Sequence, residues 1–168
     1  ASISKLMSAM VLLDAGLDKS ETITITDAEI DRLKGTGSRL SIGTTLSREE
    51  MLHIGLMSSE NRAIHALART YPGGMPAFVS AMNRKAQQLG MNSSRFVEPT
   101  GLSPQNMSTA SDLAKMVQAS AQYPQIRYYS THNNATVYTS NGKAQQYKNS
   151  NALVREGAWP IIVQKTGY

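Results

Sequence analysis

Cysteine is absent from this chain, and three classes of protein are excluded with it: the disulfide scaffold, the thiolate zinc site and the cysteine-nucleophile enzyme. Aromatic residues make up only 6% of the 168, too few for the stacking platforms of a single-strand nucleic-acid binder. Charge is thin as well, 17% against the usual quarter. No apolar run approaches the roughly 18 residues of a membrane-spanning helix. The histidines are three, at 53, 65 and 132, without a His-Glu-x-x-His pattern, so each reads as a helix-face or surface residue and no metal site is expected. Lys34-Gly35-Thr36-Gly37-Ser38 has glycines but not the spacing of a phosphate loop.

What is present describes one globular domain. Hydrophobic residues reach 40%, and the net charge is +5. The basic residues are scattered, with no block of five like charges, which fits a mildly basic surface facing an anionic polymer and no nucleic-acid partner. The chain opens on Ala1-Ser2-Ile3-Ser4-Lys5 and closes on Gln164-Lys165-Thr166-Gly167-Tyr168, straight after Ile161-Ile162-Val163. A terminal strand leaves its edges unpaired, so residues 1–168 are expected to be one truncated domain cut from a longer chain.

Periodicity divides the chain into a helical body and a β-rich tail, an α+β arrangement. Leu6, Met7, Met10, Val11 and Leu13 mark a helix over residues 4–14. Residues 22–26 alternate as a strand, and 34–43 read as loop. Ser47-Arg48-Glu49-Glu50 is a capping box opening a helix that gives way at Ser58-Ser59. Further helices follow from about Glu60 to Arg69, over 76–89 with Gly90 as its stop, and from Thr109 to before Pro124, with 91–107 irregular. Asn141-Gly142 between two alternating runs predicts a hairpin, and 160–166 predict a buried strand.

The chemistry concentrates on serine and lysine. Ser2 and Lys5 lie three positions apart, one helical turn, and so face the same way. A serine at a helix start sits over free N–H groups and the positive end of the macrodipole, which suits a nucleophile whose attack creates an oxyanion. The lysine is a base only when neutral, so burial or a neighbouring cation must lower its pKa. Ser-x-x-Lys arises about once by chance in a chain of this size. Ser140-Asn141-Gly142-Lys143 is a second copy, placed on a hairpin turn and read as incidental. Two further motifs lift the first copy. Ser59-Glu60-Asn61 is the one Ser-x-Asn of the chain, at a break between helices where Ser59 could equally cap the next helix. Lys165-Thr166-Gly167 is the one Lys-(Ser/Thr)-Gly.

That ordered trio resembles the penicillin-recognising serine D,D-peptidases and class A β-lactamases. Phe96-Val97-Glu98-Pro99-Thr100-Gly101-Leu102, Ser108-Thr109-Ala110-Ser111-Asp112-Leu113 and Asn149-Ser150-Asn151-Ala152-Leu153 are similar to the low-molecular-mass penicillin-binding proteins. Met57-Ser58-Ser59-Glu60-Asn61-Arg62-Ala63 joins them in resembling the periplasmic D-alanyl-D-alanine endopeptidase branch. The resemblance implies a helical lobe packed on a five-stranded antiparallel sheet, with most of the sheet strands outside this segment, and a segment that would not fold stably alone.

It also implies roles. Ser2 would attack a D-Ala carbonyl and Lys5 take its proton, helped by the charge of Lys165 and the helix end. Ser59 would relay a proton to the departing amine, and Asn61 orient both the substrate amide and Lys5. Lys165 and Thr166 would hold the substrate's negative charge, Gly167 admit a close backbone approach, and the N–H groups of Ser2 and Tyr168 form the oxyanion hole. The implied substrate is the D-Ala–diaminopimelate cross-link of peptidoglycan, with β-lactams as acylating inhibitors, no cofactor, and the periplasm as location. A D-Ala-D-Ala carboxypeptidase shares the same residues and differs in leaving group. A class A β-lactamase needs a deacylating glutamate in Glu-x-x-Leu-Asn; Glu98-Pro99-Thr100-Gly101-Leu102 departs from it, and Glu98 reads as a loop acid. A wall-binding module with a vestigial site is the non-enzymatic alternative, disfavoured by the intact Ser2, Lys5, Ser59, Asn61 and Lys165.

Overall fold

Helix α1 (Ser4–Asp14) is the axis of the protein in the computed structural model, which describes residues 1–139, 142–157 and 159–167. Its apolar stripe predicts one buried face, but every residue from 4 to 12 is buried. Small residues explain this: Ser4, Ser8 and Ala9 leave room for neighbours on the sides that Leu6, Met7 and Met10 do not fill. Packed around α1 are α2 (Arg48–Met57), α3 (Asn61–Arg69), α4 (Gly74–Gln88), α5 (Ala110–Ser120) and α6 (Pro124–Ser130). Each fully buried Leu, Ile, Met or Phe in this bundle contributes about 1.5–3 kcal/mol.

Local signals set the helix ends. The Ser47 hydroxyl accepts from the Glu50 N–H at 3.1 Å, and the Glu50 carboxylate accepts from the Ser47 N–H at 3.0 Å, the reciprocal box expected of this sequence. Thr109 caps α5 by accepting from the Asp112 N–H. The cap of α3 is Glu60, whose carboxylate accepts from the Arg62 N–H, and not Ser59, which is thereby left for another use.

Strands are few. β1 (Thr22–Thr24) pairs antiparallel with β2 (Thr45–Ser47) in the register Ile23↔Leu46. β3 (Asn134–Tyr138) pairs antiparallel with β4 (Ala144–Lys148) in the register Thr136↔Gln146. The class is α+β. These two ribbons are the only sheets among the described residues, and they do not amount to a five-stranded sheet.

Three expectations need correction. Residues 160–166 form no strand: Ile162 is 65% exposed, because an apolar run becomes a ladder only where a partner strand lies alongside, and none does among the described residues. The strand read over 22–26 stops at Thr24, since the Thr26 hydroxyl and Glu29 carboxylate instead build a capping box for a short 3-10 turn (Asp27–Glu29). Helices α6 and α7 (Ala152–Glu156) were not anticipated, being too short to show a period. The hairpin is present, but Asn141 of its turn and Ser140 of the second Ser-x-x-Lys lie outside the described residues.

Candidate active site

Four segments distant in sequence meet at the start of α1. The first is α1 itself: the Lys5 N–H donates to the Ser2 carbonyl at 3.0 Å, closing the turn that puts both side chains on one side. Lys5 Nζ lies 2.8 Å from Ser2 Oγ. The second is the break between α2 and α3, where Ser59 adopts φ +57°, the sole non-glycine in the left-handed region among the described residues. Its hydroxyl lies 3.2 Å from Lys5 Nζ.

The third is the loop over 96–102. Asn83 of α4 grips it at Phe96 through two backbone hydrogen bonds, and the Ser8 hydroxyl donates to the Pro99 carbonyl at 2.6 Å. The Thr100 carbonyl then accepts from Lys5 Nζ at 3.0 Å. Gly101, at φ +87°, lies against the Ala1–Ser2 peptide so tightly that a Cβ would stand 1.9 Å from the Ala1 carbonyl oxygen, so only glycine lets this loop press on the backbone of Ser2. The fourth segment is the tail. Gln164 is buried and donates to the Ser130 carbonyl, which anchors Lys165. Lys165 Nζ lies 2.8 Å from Ser59 Oγ and 2.9 Å from the Thr166 carbonyl.

Ser59 therefore bridges two lysines. Lys5 is 0% exposed, and neither lysine is ion-paired with a carboxylate among the described residues. Burial lowers the Lys5 pKa to about 8, against the pull of Glu98 and Glu60 in the other direction. Burial, reinforced by the charge of Lys5, lowers that of Lys165 to about 7. The main cause at Lys5 is thus its interior position and not the helix end. Near neutral pH the pair is short of a proton, and the Ser59 hydroxyl is within hydrogen-bond distance of both amines. A neutral amine at Lys5 has two N–H groups for Thr100 and Ser59 and a lone pair facing the Ser2 hydroxyl, the arrangement of a base beside a nucleophile.

Other predicted residues fall differently. Asn61 Oδ1 is buried without a hydrogen-bond partner, so it does not hold Lys5, whose contacts go to Ser2, Ser59 and Thr100. The Thr166 hydroxyl pairs with that of Ser150 at 2.8 Å. Gly167 is exposed, and a Cβ there would meet nothing within 4 Å among the described residues, so its face is open. Tyr168 lies outside the described residues. Glu98 is a loop acid: its two oxygens accept from the Thr100 N–H and hydroxyl, the Ser103 N–H and the Asn106 amide, which hold its pKa down against burial and occupy the positions a base would need. Residue-by-residue reasoning missed the Thr100 carbonyl, Gly101 and Ser150; the segments carrying them stood out only through the family resemblance.

None of the histidines bonds to this cluster among the described residues, although His65 shares a pocket with Asn61 and Thr100. His65 bonds Glu29, and His53 Nε2 lies 2.8 Å from His132 Nδ1, with burial and that neighbour lowering His53 to about 4. No group of three His, Asp or Glu side chains suited to a metal ion forms among the described residues.

A buried lysine flanked by two serines at a helix start, with a second lysine behind, is the constellation of a penicillin-type serine peptidase. The chain matches the D-alanyl-D-alanine carboxypeptidase family, peptidase S11, along residues 1–168, and it belongs to that family. It is 48% identical over 169 residues to the D-alanyl-D-alanine endopeptidase of Escherichia coli (strain K12), covering 100% of this chain and 54% of that protein. The crystal structure of the D-alanyl-D-alanine carboxypeptidase from Mycobacterium tuberculosis H37Rv is similar, with TM-score 0.84 and 30% identity, over 100% of this chain and 63% of that one. The Streptomyces K15 DD-transpeptidase gives TM-score 0.87 at 25% identity, over 99% of this chain and 70% of that one. The chain spans about half the length of the curated relatives it matches.

Proposed function

We propose that residues 1–168 belong to the catalytic domain of a serine D,D-peptidase of peptidoglycan, which hydrolyses D-Ala–diaminopimelate cross-links in the periplasm. The observation that carries this reading is the 2.8 Å contact of Ser2 Oγ with the buried Lys5 amine, itself joined through Ser59 to Lys165. Ser2 Oγ attacks the D-Ala carbonyl carbon while its proton passes to the neutral Lys5 amine. The oxyanion is held by the Ser2 and Tyr168 N–H groups, each worth about 3 kcal/mol. Ser59 hands its hydroxyl proton to the departing amine and recovers one from the lysine pair, so the C–N bond breaks and an ester on Ser2 remains. Water then adds to that ester, giving its proton to Lys5; the adduct collapses by breaking the ester C–O bond, Ser2 Oγ takes the proton back from Lys5, and the peptide ending in a D-Ala carboxylate leaves. Lys165 and Thr166 hold the substrate carboxylate, and Asn61, with its unpartnered Oδ1, receives the substrate amide N–H. No cofactor enters. A β-lactam presents the same acyl group in a strained ring and is retained as the Ser2 ester.

Endopeptidase activity is preferred because the 48%-identical relative carries that name. Carboxypeptidase activity is the second reading, favoured by the description of the family as a whole. Labelling of the whole protein with a fluorescent penicillin, abolished in Ser2→Ala, tests the nucleophile; absence of label on the wild type defeats the reading. Release of monomers from cross-linked muropeptides against release of D-Ala from pentapeptides then separates the two activities.

A further inference from the structure

The strongest unexplained feature lies beside the lysine pair. A groove of about 550 Å³ with mixed polar and apolar walls, open to solvent, runs from Ser58 along β4. It joins the reaction centre at two points: Ser58 precedes Ser59 and donates to the Lys148 carbonyl, and Ser150 shares a hydrogen bond with Thr166. Three cations line it: Arg39, Lys148 and Arg155. Arg39 stacks over the Tyr147 ring at 5.0 Å, and Arg155 is braced by donating to the Asn149 carbonyl at 2.7 Å. None of the three forms an ion pair with a carboxylate among the described residues. The acid that borders the groove, Glu60, is buried and already accepts from Ser38 and from the Arg62 N–H. Elsewhere on the lobe Arg48, Arg69, Lys85 and Lys115 each have an acidic partner.

Cations without ion-pair partners, lining a groove whose Ser58 and Ser150 adjoin Ser59 and Thr166, form a receptor for carboxylates. We propose that this groove is a subsite for the second peptide arm of a cross-linked substrate and binds that arm through its free carboxylates, so that a two-armed anionic substrate is selected over a one-armed or amidated one. The inference rests on the peptidase reading, because only a cross-link places a second carboxylate-bearing peptide next to the scissile bond. The guanidinium groups of Arg39 and Arg155 offer paired N–H donors, and Lys148 adds a point charge.

The test compares two substrates on the whole protein: a cross-linked muropeptide dimer, and the same dimer with the carboxylates of its second arm converted to primary amides, except the one beside the scissile bond that Lys165 and Thr166 hold. The wild type is expected to prefer the carboxylate form by about tenfold in kcat/KM, with the difference residing in KM and shrinking as salt is raised. The double variant Arg39→Gln with Arg155→Gln should lose the preference, and Arg155→Lys should keep part of it. A wild type indifferent to amidation, a preference that survives in the double variant, or one residing in kcat alone overturns the proposal. Should the double variant not fold, the wild-type amide comparison and its salt dependence decide the matter by themselves. A wild type that fluorescent penicillin does not label overturns the peptidase reading and this proposal together. A labelled wild type without the preference overturns the groove alone.

Discussion

Two buried charged clusters in this protein obey opposite rules. Around Glu29, whose side chain is fully buried, one anion is surrounded by donors: His65 at 2.9 Å, Arg69 at 2.7 Å and the Thr26 N–H at 2.7 Å. Burial alone would raise its pKa, but those bonds more than reverse the effect and lower it to about 2. Around Ser59 two cations share one hydroxyl with no anion bonded to either, and burial lowers both pKa values toward neutrality. The first cluster ties the 3-10 turn to α3 and locks its charge state. The second leaves a charge state easily changed, which a proton-transfer site requires. Burial by itself identifies neither; the sign of the neighbours does.

The sharpest way to break this contrast is to remove one residue from each side. Lys5→Met, which keeps the length and loses the base, should slow acylation of Ser2 by a fluorescent penicillin about a thousandfold. Its urea-unfolding free energy should stay within about 1 kcal/mol of wild type, because an interior cation without a counter-ion contributes little to stability. A loss of stability without a loss of acylation would make Lys5 a structural residue. Glu29→Ala should do the reverse, costing about 1–3 kcal/mol in urea unfolding by removing the buried acceptor that Arg69 and His65, themselves 30% exposed, bond to, while the folded enzyme acylates at its usual rate. A Glu29 variant of normal stability would show that the ion pair carries nothing.

A smaller effect distinguishes the clusters by pH. The Glu29 pKa is depressed, so its contribution is complete above about 4.5 and is lost as pH falls toward about 2. Of the two lysines, Lys165 gives up its proton first, near 7, and Lys5 near 8. The pair holding one proton between them is the form that can present a neutral Lys5 beside a charged Lys165, so acylation should rise toward about 7 and fall above about 8, where that last proton is lost. Stopped-flow acylation across pH 5–10 measures this bell, each limb changing by up to about tenfold per unit. A flat profile between pH 6 and 9 would remove the shared-proton account.

Much of the helical body was legible in the chain because its signals are local. The capping box at Ser47, Thr109 before α5 and the one-turn spacing of Ser2 and Lys5 each act within three or four residues. What was not legible depends on partners. Residues 160–166 have the apolar content of a strand but no neighbour to pair with, and α7 is a single capped turn that no periodicity announces. Gly101 matters through a contact with Ala1, a hundred positions away, and Asn61 has every appearance of a ligand to Lys5 yet leaves its Oδ1 unpartnered.

By itself, the order of residues determined which side chains are available: a serine one turn from a lysine, a Ser-x-Asn, a Lys-Thr-Gly, and no cysteine. Those facts restrict the chemistry to an activated hydroxyl, since reactivity begins with functional groups. Only the tertiary structure decided that Lys5 lies wholly in the interior with Lys165 across a shared serine, and that three cations, none ion-paired among the described residues, line the adjoining groove. The affinity of an amine for its proton is set by the dielectric and charges within a few ångströms, and those neighbours come from segments up to 160 positions apart (165 minus 5).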